Sequence, residues 1–286
     1  MSITLSFAET ELSRQLGDYW NGVTTSAGSA TSLVDTGLMA KANDWVTDDS
    51  YDQIISGTYG YATAYDGEER KISSLDNTSG TLTVLSHTGA PGITVTYRVH
   101  RLFNASEKRR ALVSAAKSAF PHLHKYIWDE TLDIDDADLY KEIDISTLGL
   151  AQNHPHQVWQ SSDKTDDSIA WQRLRNYTVD NDGNLWLTEG SCGYDLRIIG
   201  IGYLDFLVSG VASTTWASTI AIDAPQLEIL VAQAALYLCN QKIVPTDTSA
   251  TSQAWAQAKN YWDAELNVRK AKFGMRAPAA TVSWGV

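Results

Sequence analysis

Apolar positions along this chain follow two rhythms, and the helical one, with spacings of three and four, marks four stretches. Ser6 with Glu9 three residues on reads as a capping box ahead of Leu12 and Leu16, and Gly17 then Asn21-Gly22 close that helix. A second helix is predicted from Asn104, which can cap with Glu107 at the third position, through Leu112, Val113, Ala116, Phe120 and Leu123. A third opens at Asp223-Ala224-Pro225, where proline in the first turn costs no hydrogen bond, and carries Leu227, Leu230, Val231, Ala234, Ala235 and Leu238. The last is predicted from Ser249 to Phe273, closed by Gly274.

The second rhythm is alternation. From Gly22 to Phe103 there are short runs such as Thr81 to Leu85 and Thr94 to Val99, broken by turn signals at Asp66-Gly67, Ser79-Gly80 and Ala90-Pro91-Gly92. That spacing predicts a small antiparallel barrel or sandwich. Residues 145–222 return to the same character, with a hairpin whose arms, Leu174 to Val179 and Leu185 to Thr188, flank Asp180-Asn181-Asp182-Gly183-Asn184. The expected fold class is α+β: one helical bundle with two inserted antiparallel β-modules. Residues 1–21, 104–128 and 223–274 supply the bundle, 22–103 the first module, and 129–222 an acidic connector and the second module. Residues 275–286 form an extended tail. No repeat of solenoid period is present.

Composition narrows the function. Among 286 residues, 34 acidic side chains outnumber 22 basic ones, for a net charge of −12. That excess argues against broad binding to phosphate backbones, which needs clustered Lys and Arg. Cys192 and Cys239 are too few for a disulfide framework. The first residues lack a basic start and a sustained apolar core, so no secretory peptide is expected, and the apolar run from Ile229 to Cys239 is too short to span a bilayer. A soluble protein made in the cytosol is expected.

Catalytic signatures are missing: there is no Gly-x-Ser-x-Gly, phosphate loop, dinucleotide fingerprint, His-Glu-x-x-His or Cys-x-x-Cys. The pairs His122/His124 and His154/His156 have spacing that could share a metal on a strand, but one sits at a predicted helix end and the other brackets Pro155. Asp133-x-Asp135 lacks the glycine and closing glutamate of a calcium loop. The expectation is a protein that is not an enzyme, with no metal and no cofactor. Ten Trp and 13 Tyr against five Phe weight the aromatics toward types enriched at interfaces and sugar-binding surfaces. Lys108, Arg109 and Arg110 crowd the first turns of the second helix against its dipole, which marks them as partner-surface candidates.

The stretch TTSAGSATSLVDTGL, the β-module after it and RLFNASEKRRALVSAAKSAFPHL resemble neck proteins of tailed bacteriophages. YTVDNDGNLWLTEG, DLRIIGIGY and DAPQLEILVAQAALYLCNQ are similar to the C-terminal half of the same group. It is the head-to-tail adaptors, including the tail tubular protein A type of short-tailed phages. The resemblance covers residues 3–130 and 175–275. It implies a ring of copies, commonly twelve, in the virion neck, assembled in the host cytoplasm between the portal protein and a tail or nozzle protein. Genomic DNA would pass through without specific binding, and no membrane is involved. Alternatives are a head-closure (stopper) protein and a carbohydrate-binding baseplate or tail module. Under the adaptor reading, portal docking falls to the basic end of the chain: Arg269, Lys270, Lys272, Arg276 and an anchoring Trp284.

Overall fold

Between Trp20 and His100 the alternation becomes antiparallel strands. The computed structural model describes residues 2–18, 20–47, 49–56, 68–134, 142–161, 170–188, 193–243 and 249–277. Two compact units emerge, Met1–Ala115 with Phe206–Arg269, and Ala116–Asp205 with Lys270–Val286.

The first unit holds β2 (Trp20–Val23), β3 (Ser26–Ser29), β4 (Ser32–Val34), β5 (Tyr51–Ser56), β6 (Glu69–Asp76), β7 (Thr81–Val84) and β8 (Thr96–His100). They form one antiparallel sheet in the order β2-β8-β5-β6-β7-β4-β3. Its core is Leu33, Leu38, Ile54, Ile72, Leu82, Val95, Tyr97 and Val99. Burial of each such side chain is worth about 1.5–3 kcal/mol. Gly22 is required by this packing. A Cβ there would lie 2.6 Å from both the Tyr97 ring and Asp35 Oδ2, and the Tyr97 hydroxyl donates to that oxygen at 2.8 Å. A smaller sheet pairs β1 (Ile3–Thr4) with β18 (Thr219–Ile220), then β16 (Leu207–Val208) and β17 (Val211–Ala212).

The helices are α1 (Leu5–Gln15), α2 (Ala105–Ser118), α3 (Ala224–Lys242) and α4 (Ala250–Phe273). α1 is capped by Thr4, which accepts from the Phe7 amide at 3.2 Å, rather than by Ser6. Gly17, at φ +70°, ends it. Asn104 and Glu107 form the expected capping box on α2, with bonds of 2.7 and 2.9 Å. α3 starts at the Asp223–Gln226 box, and α4 ends at Phe273 before Gly274. α2 stops at Ser118 instead of reaching residue 128, because Pro121 cannot continue a helix.

The predicted helical bundle is not formed. α1 packs on α3, but the stripes that a four-helix core needs are interrupted. α1 buries Glu9 and Ser13 among its apolar positions, α2 buries Lys108, and α4 buries only Ser252, Trp262 and Leu266 of 24 residues. The β-modules differ from prediction as well. The edge strands β2 and β3 do not pair with each other among the described residues, so the seven-stranded sheet is not a closed barrel.

In the second unit, β12 (Trp171–Leu174), β11 (Gln157–Ser161), β15 (Asp195–Gly202) and β9 (Lys125–Asp133) make one open antiparallel sheet in that order. β10 (Glu142–Asp144), β14 (Asn184–Leu187) and β13 (Tyr177–Val179) make another. Ile127, Val158, Leu174, Leu196 and Ile198 of the first share a core with Ile143, Leu185 and Leu187 of the second. The predicted hairpin is β13–β14. Asp180 accepts from the amides of Asp182 and Asn184, and Gly183 takes φ +87°. The expected acidic connector is in part strand. Asp129, Glu130 and Asp133 lie in β9, an edge strand whose outward charge discourages further pairing. Asp135, Asp66-Gly67, Cys192 and Trp284 lie outside the described residues.

Candidate functional site

Charge has been drawn inside the first unit. The Lys108 side chain is completely buried, and its ammonium donates to Asp18 Oδ2 at 2.8 Å, Ser13 Oγ at 2.9 Å and His100 Nδ1 at 2.8 Å. Those bonds use all three of its protons. Lys108 is therefore a core residue, not the partner-surface residue predicted from its place in the first turns of α2. Asp18 also accepts from the amides of Arg101, Leu102 and Phe103 at 2.5, 3.1 and 3.2 Å. Glu9 accepts from Ser13 Oγ at 2.7 Å and pairs with Arg98, which donates to Thr10 Oγ1 at 2.7 Å. One ionic cluster thus ties α1 to β8 and the start of α2.

Because an ammonium can only donate, His100 Nδ1 must accept, so the ring is neutral and its Nε2–H donates to Gln53 Oε1 at 3.0 Å. Burial, then the charges of Lys108 and Arg98, hold His100 well below the usual histidine value of 6.5. The unfolded chain therefore binds a proton at His100 that the folded chain refuses. This part of the stability is intact above about pH 6.5 and is lost as pH falls below it, by about 1.4 kcal/mol per pH unit. Asp52 works in the opposite sense, since burial raises its carboxyl while His87, 2.8 Å away, only partly offsets that. The readout is therefore a comparison. Urea unfolding at pH 7 and pH 5 should show a smaller acid loss in His100→Gln than in wild type, and equal losses would exclude this linkage.

Asp52 and His87 have the form of an acid–base pair, but both side chains are fully buried, so no substrate reaches them. Among the described residues no group of three or more His, Cys, Asp or Glu side chains is placed to hold a metal ion. His124 and His154 do come close enough to His156 to add to the effect of burial in lowering its basicity.

Interaction chemistry lies on the surface instead. On the outer face of the β12-β11-β15-β9 sheet, the Arg197 guanidinium sits 3.9 Å from the Trp171 ring centre and 4.6 Å from that of Trp128. Glu130 holds both partners, accepting from Arg197 Nε at 2.5 Å and Trp128 Nε1 at 2.8 Å. Tyr126 continues the row 6.4 Å beyond Trp128, and the two rings are about half exposed. Trp, Tyr and Arg are the types that dominate protein interfaces.

A longer surface runs along α4. Ser252, Trp255, Lys259, Trp262, Leu266 and Arg269 follow steps of three and four on its inner, buried or half-buried side. Ala250, Ala254, Gln257, Tyr261, Ala264 and Val268 follow the same steps about 200° away, and every one is exposed. Tyr261 and Val268 expose 57% and 61% of their surface. Ala264 lies between Tyr261 and Val268, with Ala250 and Ala254 before them, and such small residues allow another helix to approach closely.

The other predicted site residues separate. Arg269 is not free for docking: its guanidinium pairs with Glu228 at 2.9 Å and Glu265 at 3.2 Å, and donates to Gln15 Oε1 at 2.8 Å. Lys270 is half-buried, while Lys272 and Arg276 are exposed. Arg109 lies 5.2 Å from the Trp216 ring centre, and Arg110 is exposed.

No protein-family model matches the chain, and no curated protein matches it. Among the described residues no helix is long and apolar enough to cross a membrane.

Proposed function

We propose that this chain is a structural protein of the tailed-phage virion neck: a head-to-tail adaptor, assembled as a ring of twelve copies between the portal and a tail or nozzle protein. The observation that carries the reading is the outer stripe of α4. An isolated helix is marginal in water and gains its stability from packing. A 24-residue helix that buries Trp262 and Leu266 on one side and leaves Tyr261 and Val268 exposed on another suits a chain whose copies complete each other's packing. Exposed Tyr126 and Trp128, with half-buried Arg197 beside them, supply a second contact surface. In that row Arg197 covers faces of Trp128 and Trp171 that a sugar ring would stack on, which weighs against the carbohydrate-binding alternative. A net charge of −12 suits a conduit through which DNA slides without being held. The ring would assemble in the host cytoplasm and act without catalysis, metal or cofactor.

Portal docking is assigned to the end of the chain, through exposed Lys272 and Arg276 and through Trp284. Met275 N–H donates to His122 O at 2.8 Å, so a truncation that tests this role begins at residue 278. Deleting 278–286 should leave the melting temperature within a few degrees while abolishing attachment to portal-bearing heads. Truncated protein that joins heads as well as intact protein would remove the docking role of Trp284, and intact protein that joins none would remove the adaptor reading.

A further inference from the structure

The first unit contains a cleft of about 440 Å³ whose lining is unlike the rest of this acidic chain. Arg101 and Lys242 converge on it, together with Leu102, Trp255 and Thr251 from the first turn of α4. Among the described residues neither cation has a carboxylate within ion-pair distance. Arg101 lies 5.3 Å from the Trp45 ring centre and Lys242 5.4 Å from that of Phe103. Arg101 Nε is buried and makes no hydrogen bond. The amino-terminal end of α4 adds the positive end of a long helix to the two cations.

We propose that the cleft receives a carboxylate-bearing peptide segment of a partner protein, its acid held by Arg101 and Lys242 and an adjoining apolar side chain held against Trp255 and Leu102. The volume lies within the range of about 300–1,000 Å³ usual for small-ligand sites. Trp255 is a firm wall, fixed edge-on against Phe103 at 5.3 Å between ring centres. Asp49 is the acid in the lining, and with the net charge of −12 it disfavours an extended polyanion such as nucleic acid over a local carboxylate. This inference does not rest on the adaptor reading, because a basic, apolar-walled cleft selects its occupant whatever the chain assembles into.

The test is calorimetric titration of the full chain, with Trp fluorescence in parallel. Three probes are used: the capped peptide Ala-Asp-Leu-Asp-Ala, its Ala-Asn-Leu-Asn-Ala twin, and inorganic phosphate. The acidic peptide should bind about tenfold more tightly than its twin and more tightly than phosphate. Arg101→Gln and Lys242→Gln should each weaken it severalfold while leaving the twin unchanged. Thermal melts confirm that each variant is folded, and Lys242→Gln carries the test if Arg101→Gln is not. Equal binding of the two peptides, binding of neither, affinity unaffected by the variants, or phosphate matching the peptide would each overturn the proposal.

Discussion

Asp18→Ala is expected to destabilise the first unit by about 3–5 kcal/mol, the cost of removing one partner from a buried ion pair. The substitution strands the Lys108 ammonium, which has no exposed surface, and leaves the amides of Arg101, Leu102 and Phe103 without the carboxylate that receives them. Against a typical total of 5–15 kcal/mol, roughly, that is a large fraction. Lys108→Met should cost less, because Asp18 keeps its three amide donors. Combining Asp18→Asn with Lys108→Met should recover part of the loss, since the pair is then replaced by a neutral acceptor and an apolar side chain of similar length. Urea unfolding followed by far-ultraviolet circular dichroism measures all three. A loss below about 1 kcal/mol for Asp18→Ala would mean that water satisfies the ammonium and that the cluster is not sealed.

Replacing Tyr261 and Val268 together by Glu should have the opposite profile. Both side chains are exposed, so the cost to the isolated chain is expected within about 0.5 kcal/mol per site. In the proposed ring, assembly would bury two carboxylates against a neighbouring copy, and the ring should fail to form. Unequal effects of the two experiments, one on folding and the other on assembly, separate the inner architecture of the first unit from its outward contacts.

Local signals carried much of the fold. The Asn104–Glu107 box, the Asp223-Ala224-Pro225 start of α3, the 180–184 turn and the end of α4 each depend on residues within one turn of each other, and each is readable as a short pattern. The bundle was not, because helical periodicity tells how many apolar positions share a face but not what covers them. α4 shows this directly. Its stripes 252-255-259-262-266-269 and 250-254-257-261-264-268 are equally regular, and nothing local says which one turns inward.

Lys108 departs from its predicted place for a related reason. Its charge and its place in the first turns of α2 suggested a surface, yet it lies four residues before Leu112 and seven before Ala115, on the buried stripe of α2. A lysine on an apolar stripe is a cue for a buried acid, and here that acid is Asp18, 90 positions away. Charge marks the start of residues 129–222 as a connector, while the alternation of exposed Tyr126 and Trp128 around buried Ile127 is the better guide to β9. The Trp171–Arg197–Trp128 stack depends on register across β12, β11, β15 and β9, which no single segment reveals.

The most direct test of the proposed role is electron microscopy of the chain mixed with the portal protein of the same phage, with wild type and the Tyr261→Glu/Val268→Glu variant side by side. Wild-type chain should add a closed ring with cyclic symmetry beneath each portal, and the variant, folded and monomeric, should add none. Rings formed equally well by the variant, or wild-type chain that never associates with portals, would contradict it.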